Sequence, residues 1–540
     1  MTELARAQAP ARPLPLPRVE HLWTLLPLAL CGVFLALVPT TPHDFWWHLR
    51  VGQIVAEQGV PRTNLFAWTL PPDAPFVYAA WLSDWLFYLA YLAGGLQGPV
   101  LLRNLLGMAG FGLVALEARR RSGSWRLAGL AVLLAGAMAI NNLTTRPQNV
   151  AWPLFAAYAL VLGAYAAGQA GPRALALLPP LMACWVNAHG SFVLGLVLVA
   201  GYAFGETLRT LCRRMAAAGW GAAPLPTPNP QPLTSTPRRL AWLYLAGAAC
   251  LAAVLLNPIG PGIFGYVLKL LTDPPSQTLV NEWQPPTTRS LAGTLFFGAL
   301  VALVAALALG RRRPTLTDAL LVCAFLWLAV GGMRYVVWFG MLAMPLLAQC
   351  LGAEPRRATK GHEGSGRSAG RAASPGRWFS ALLTLLLVAG VVAVQPPFKA
   401  ALPLPAAYSS LFAAVPGAPG LFSADTPAGA AAYLRAHPTQ GRLFNDMAYG
   451  SYLIWAAPGE QVFADPRVEL FPLALWQDYL AIAEARGHAE LLERYRIERV
   501  LLDRRNQPKL AAALAADPAH WTLEYTDGRA EIYRRVSRNA

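Results

Sequence analysis

Eleven apolar runs recur between residues 22 and 395, each about long enough to cross a hydrocarbon layer as a helix. They lie near residues 22–39, 99–118, 126–141, 148–168, 174–187, 191–210, 240–256, 291–310, 316–332, 335–352 and 378–395. With 55% of its 540 residues hydrophobic and 13% charged, the chain has more apolar surface than a soluble domain can hide. It reads as a multispanning membrane protein. Its net charge of +16 comes from short clusters between the runs: Arg119, Arg120 and Arg121 with Arg126, then Arg173, Arg213 with Arg214, Arg238 with Arg239, and Arg311, Arg312 and Arg313. Placing every cluster in the cytoplasm threads all eleven runs without contradiction, with the N-terminus inside. Membrane topology therefore accounts for the basic charge, and no nucleic-acid partner is expected.

The same threading divides the chain. Residues 1–21 are a Pro- and Arg-containing cytoplasmic leader without a cleavage signal, and residues 22–395 form the transmembrane domain. The first external loop covers 40–98, and cytoplasmic linkers cover 213–239 and 353–377, both of compositions that resist packing. Residues 81–95 are apolar enough for a helix, but counting them as a crossing would put Arg119, Arg120 and Arg121 outside. They are expected to lie along the membrane, with Asp84 among interfacial aromatics. Residues 396–540 change character to alternating short strands and helices: strands at 441–444, 461–463 and 499–502, helices at 427–436, 474–485 and 489–495, and a hairpin about Asp527-Gly528. An odd number of spans puts this α/β domain outside the cytoplasm. The six cysteines all lie in or beside apolar runs, with no CxxC, so neither a disulfide framework nor a zinc site is expected.

Polar residues at helix ends fall on one side under this threading. They are His43, Asp44 and His48, Arg146 with its Asn-rich neighbours, Asn187 and His189, Asn257, Glu282, and Arg334. Ionisable groups at membrane depth are costly and tend to line a polar cavity, so their gathering points to a site on the external face. Each has a plainer reading. Asp44 follows Thr41-Pro42-His43 and precedes a helical pattern ended by Gly59, so it suits an N-cap; Trp46 and Trp47 beside it suit the membrane interface. Residues 187–191 suit a turn, and Arg334 suits a partner for Glu282. In the functional reading Arg334 holds a phosphate through its guanidinium fork.

At these residues the chain resembles the GT-C superfamily of membrane glycosyltransferases, which use polyprenyl-phosphate-linked sugars and keep an acid in the first external loop. The match is Asp44 after the first run, then Gly52, Gly59-Val60-Pro61, and Trp81-Leu82 with Gly94-Gly95, and it covers about the first 200 residues. The order of features is similar to the lipid A aminoarabinose transferase and protein mannosyltransferase branches. The resemblance implies a GT-C-like bundle of about eleven transmembrane helices and inverting sugar transfer to a glycan, lipid or protein acceptor at the bacterial plasma membrane. Asp44 is the matching catalytic acid/base. Arg146 and Arg334 would stabilise charge on the leaving phosphate, with His43, His48 and His189 as further donors and Asn187 and Glu282 lining the site. Many relatives carry a second acid in the next external loop, whereas residues 141–149 contain none, which argues against a two-carboxylate Mg or Mn site. Asp44, Asp84 and Glu282 are the carboxylates left for a divalent ion, and metal dependence stays open. The alternative function is a non-enzymatic flippase or assembly component for surface polysaccharide that binds a lipid phosphate.

Overall fold

The computed structural model describes residues 17–218, 236–353 and 375–536. The expected leader up to residue 16, and the linker residues 219–235 and 354–374, lie outside the described residues. The helical part opens with α1 (Val19–Leu37), α2 (Phe45–Gln58), α3 (Trp81–Gly94), α4 (Gln97–Ser122), α5 (Trp125–Met138) and α6 (Gln148–Ala166). It continues with α7 (Pro172–Leu175), α8 (Leu178–Ala188), α9 (Phe192–Ala217), α10 (Pro237–Val254), α11 (Gly262–Thr272) and α12 (Pro274–Leu279). It closes with α13 (Leu291–Leu309), α14 (Leu316–Gly331), α15 (Val336–Leu351) and α16 (Pro375–Ala393). Every predicted run contains a helix. Among the described residues, six helical stretches are long and apolar enough to cross a membrane, fewer than the eleven expected. The difference is one of helix length. The run at 174–187, for example, breaks after α7, and Pro179 and Pro180 open an 11-residue α8.

Small residues set how closely the bundle packs. Ala128, Ala131, Ala135 and Met138 recur along α5 at helical spacing and are all buried where α5 meets α1, α4 and α15. At one end of the bundle the basic clusters knit together. Arg121 bonds Asp318 at 2.8 Å and Glu117, and Arg312 donates to the Arg121 carbonyl at 2.9 Å.

The other end is organised around the last turn of α1. Its final carbonyls have no partner further along the helix, and three cations or hydroxyls from distant parts of the chain take them. The Arg103 guanidinium reaches Leu35, Lys399 Nζ reaches Ala36 at 3.1 Å, and the Tyr408 hydroxyl reaches Leu37 at 2.6 Å. Arg103 is fully buried and also donates to Leu143 at 3.0 Å, tying the α5–α6 connection to the same point. Beyond α1, Thr40 pairs with Phe422 in a parallel bridge. The segment leading to Asp44 is thus strapped to the C-terminal domain.

That domain follows α17 (Pro396–Lys399) and α18 (Ala406–Ser409) and contains α19 (Ala428–Ala436), β1 (Arg442–Asn445), α20 (Met447–Ala456), α21 (Leu473–Ala483), α22 (His488–Arg494), β2 (Ile497–Asp503), α23 (Pro508–Ala515), β3 (Trp521–Thr526) and β4 (Ala530–Arg535). Its sheet has the order β1-β2-β4-β3, with β1 parallel to β2 and the other pairs antiparallel. The predicted hairpin turns at Gly528, whose φ of +86° an L side chain would resist. Residues 461–463, expected as a strand of this sheet, lie outside it. Val462 forms an isolated bridge with Ala67 of the first loop, because its backbone partner comes from the other domain.

Two sequence expectations are corrected at this seam. Trp46 and Trp47 do not sit half-wet at a membrane surface. Trp46 is fully buried, with ring centroids 4.5 Å from Phe422 and 4.7 Å from Tyr452, and the Trp47 amide donates to Ser451 Oγ at 3.1 Å. Their area is spent joining α2 to the C-terminal domain. Arg467 completes the joint, paired with Asp465 at 2.6 Å, donating to the Tyr78 hydroxyl at 3.1 Å and lying over Phe66 and Phe76 of the first loop. Likewise Asp84 of α3 does not stand among surface aromatics: it is buried, with its Oδ1 bonded to His48 of α2. Gly52 permits that approach, since a Cβ there would stand 2.0 Å from the Asp84 carbonyl oxygen. Backbone cannot yield as a flexible side chain can, so Gly52→Ala is expected to cost roughly 2–3 kcal/mol of stability. Thermal unfolding in detergent reads this directly, and an unchanged Tm would contradict the packing described.

Candidate active site

The polar residues singled out from sequence meet at the end of the bundle that carries the C-terminal domain. Asp44 occupies the position before α2 with helical φ/ψ of −103° and −40°, and its side chain makes no capping hydrogen bond. The N-cap expectation thus holds for position but not for chemistry. The carboxylate is 38% exposed, and its Oδ2 stands 3.9 Å from Arg146 Nη1.

Arg146 lies between the single turn Ile140–Asn142 and α6. Its amide donates to Asn149 Oδ1 at 2.9 Å and its Nε to Thr144 Oγ1 at 3.2 Å, which aims the guanidinium outward from the bundle core. The fork then grips both oxygens of Glu282, at 2.8 Å from Nη1 to Oε2 and through Nη2 to Oε1. Glu282 comes from the turn Asn281–Trp283, and the facing turn Met333–Tyr335 docks on it through Met333 N–H to the Gln284 carbonyl at 2.9 Å. Burial pushes the Glu282 carboxyl up, but Arg146, with help from Arg334 and His43, holds it below the usual glutamate range. Arg146 in turn is held firmly charged: burial works against the cation, and Glu282 and Asp44 outweigh it.

Arg334 does not partner Glu282, the plainer role considered for it. Its guanidinium stacks on Trp283, 4.1 Å from the ring centroid, and makes no ion pair or hydrogen bond among the described residues. Arg146 has taken the Glu282 carboxylate, and the Arg334 guanidinium stacks on the ring instead. His189 sits in the turn between α8 and α9, where the Ser191 amide donates to its Nδ1 at 3.1 Å. That bond makes Nδ1 the acceptor, so the proton rides on Nε2. Burial, and then the Arg334, Arg146 and His48 charges, depress its pKa to about 3. His189 is therefore a neutral N–H donor rather than the cation a phosphate would prefer.

Other candidates have structural duties. Asn187 uses its side chain as a strut, accepting from Trp81 Nε1 at 2.8 Å and donating to the carbonyls of Ala183 at 2.8 Å and Leu256 at 2.7 Å. These bonds hold α8 to α3 and to the segment after α10, while Asn187 also lines the cavity below it. His48 is buried with its Nδ1 2.7 Å from Asp84 Oδ1. His43 is exposed beside the cluster. Below Asn187 and Trp81 opens a mostly apolar cavity of about 350 Å³, lined by Pro61, Tyr78, Ile259, Ile263 and Lys269 among others.

Among the described residues no three His, Cys, Asp or Glu side chains gather as ligands. Asp84 Oδ1 is bonded to His48, and both Glu282 oxygens are on Arg146, whose Nη1 also stands 3.9 Å from Asp44. Sequence reading missed Arg103, although a lone Arg inside the 99–118 run was a signal that a membrane helix needed a partner for it. It also missed Arg467, for which no local pattern existed.

No protein-family model matches the chain, and no curated protein matches it. Solved structures do. The oligosaccharyltransferase AglB from Archaeoglobus fulgidus, in complex with an inhibitory peptide and a dolichol-phosphate, aligns with 96% of this chain and 74% of its own, at 12% identity and a TM-score of 0.50. The arabinofuranosyltransferase AftD from Mycobacteria aligns with 97% of this chain at 14% identity and a TM-score of 0.51, and this chain spans 41% of AftD. ArnT from Cupriavidus metallidurans, bound to undecaprenyl phosphate, aligns with 96% of this chain and 98% of its own, at 16% identity and a TM-score of 0.49. The likeness to AglB and AftD shows the fold alone: a helical bundle with an attached α/β domain, arranged as in those two structures.

Proposed function

We propose that this GT-C-fold chain is an integral membrane glycosyltransferase that moves a sugar from a polyprenyl-phosphate-linked donor to an acceptor outside the cytoplasm. One observation carries the reading. Asp44, whose side chain makes no capping hydrogen bond, and Arg334, which makes no ion pair or hydrogen bond among the described residues, stand around the Arg146–Glu282 pair at the mouth of the bundle. A free carboxylate can take the proton of an acceptor hydroxyl, and a free guanidinium can hold the phosphate that leaves. His189 Nε2–H adds a neutral donor, Arg146 fixes Asp44 electrostatically, and the apolar cavity beside Trp81 suits part of a prenyl chain. The basic end of the bundle faces the cytoplasm in this reading, and the C-terminal domain faces away from it.

The test is sugar transfer by the purified full chain in lipid nanodiscs, from polyprenyl-phosphate-linked sugars to glycan, lipid and peptide acceptors. Tight binding of a polyprenyl phosphate without any turnover would favour the flippase or assembly role instead. In the same preparation Arg334→Ala is expected to weaken polyprenyl phosphate binding about 10- to 100-fold, the worth of one charge-assisted bidentate contact. A binding constant within twofold of the unmodified protein would remove Arg334 from the site.

A further inference from the structure

Asp44 opens α2 and His48 follows one turn later, so the two side chains rise from the same face of that turn. Behind His48 stands Asp84 from the first turn of α3, its Oδ1 2.7 Å from His48 Nδ1. Both side chains are nearly sealed, 9% and 1% exposed, and the Trp47 ring covers the imidazole at 3.6 Å between centroids. Holding two helices together does not need such a pair, because apolar side chains of similar volume would join α2 to α3 without burying a carboxylate. The pair instead defines a tautomer. With Nδ1 committed to Asp84 Oδ1, the ring offers Nε2 as its second functional atom, and Asp84 Oδ2 is left buried without a partner among the described residues. The titratable and charged groups around His48 are Asp84 on α3, His189 on the α8–α9 connection and Asp44 on its own helix. Arg146 lies beyond Asp44, and Arg467 lies across Trp47.

We propose that His48 relays the acceptor proton away from Asp44 and that Asp84 is its positioning residue. This rests on the glycosyl-transfer reading. The acceptor O–H bond breaks while its oxygen bonds the anomeric carbon, and the anomeric C–O bond breaks with its electron pair leaving on the lipid phosphate. Asp44 takes the acceptor proton and passes it to His48 Nε2, which restores the Asp44 carboxylate and leaves an imidazolium facing Asp84. The imidazolium returns the proton to the departing phosphate or to solvent, and the site is reset. Asp44 is thus ready for each new acceptor.

The experiment is single-turnover transfer by the full chain in nanodiscs, with polyprenyl phosphate binding measured on each variant. His48→Ala is expected to slow transfer on the order of a hundredfold, to bind polyprenyl phosphate normally, and to recover rate when imidazole is added. Asp84→Asn is expected to slow transfer about tenfold with no response to imidazole. His48→Gln, which can still hydrogen-bond Asp84, covers the case in which the alanine variant does not fold: it is expected to bind normally and transfer slowly. A wild-type rate in either His48 variant overturns the proposal. So does a slow His48→Ala protein with normal binding that imidazole does not rescue. Unmodified protein that transfers no sugar at all is a different result, and overturns the reading beneath.

Discussion

Asp44→Asn is expected to lower turnover about a thousandfold while leaving the protein as stable as before. The expectation of unchanged stability follows from the structure. The carboxylate makes no capping hydrogen bond to α2 and is more than a third exposed, so Asn gives up no bond that holds the helix. A surface-like change of this kind usually moves stability by less than about 0.5 kcal/mol. The carbonyl of Asn cannot take a proton from a hydroxyl, so the chemical step alone should suffer. Polyprenyl phosphate binding should hold or tighten, since one negative charge beside the phosphate cavity is gone. The measurements are transfer rate, polyprenyl phosphate affinity and thermal unfolding on the same preparation. A turnover within threefold of the unmodified protein would sink the assignment of Asp44 whatever happened to Tm.

Arg146→Met is expected to damage both stability and activity, and Glu282→Gln in the same chain should repair only the first. Removing the guanidinium strands Glu282 in a partly buried position without its partner, at a cost of roughly 2 kcal/mol after allowing for the third of the side chain that water reaches. Making Glu282 neutral in the double variant removes the stranded charge, so stability should return toward that of the unmodified protein, a coupling that a double-mutant cycle measures. Activity should stay at least a hundredfold down, because Asp44 has lost the cation that holds it. The pH dependence has a definite sign. In the unmodified protein Arg146 depresses the Glu282 pKa, so the pair's contribution is present above the unfolded glutamate value of about 4.3 and is lost as pH falls through the lower folded value. In Arg146→Met the strongest cation opposing burial is gone and only Arg334 and His43 remain, so the Glu282 pKa rises relative to the unmodified protein and the penalty present at neutral pH fades in acid. The stability gap between the two proteins should therefore be wide at pH 7 and narrow below about pH 4. A gap independent of pH would mean that Glu282 is not the group left stranded.

Much of the site could be named from sequence because its members stand at the ends of apolar runs, where an ionisable residue has few bland uses. Asp44, Arg146, Glu282 and Arg334 come from four separate connections and meet within one cluster. What could not be read was who pairs with whom. Glu282 is 52 residues before Arg334 and 136 after Arg146, and the fold gives it to the more distant one. Asp84 looked like an interfacial acid because its neighbours are aromatic, yet its partner is His48, brought close by Gly52.

The chain by itself determined its solvent and its scaffold: long apolar runs must become helices in a hydrocarbon layer, because no other segment can satisfy its own backbone there. Alternation and turn residues likewise settled where most strands and helices of the C-terminal domain begin. Tertiary structure alone decided the seam and the division of charge. The three groups that hold the end of α1, the burial of Trp46 and Trp47 beneath the C-terminal domain, and the pairing that occupies Arg146 while sparing Arg334 all join residues far apart in sequence. Hydrophobic periodicity acts within one helix or strand, whereas an ion pair or a buried ring depends on which surfaces the packed fold sets within a few ångströms of each other.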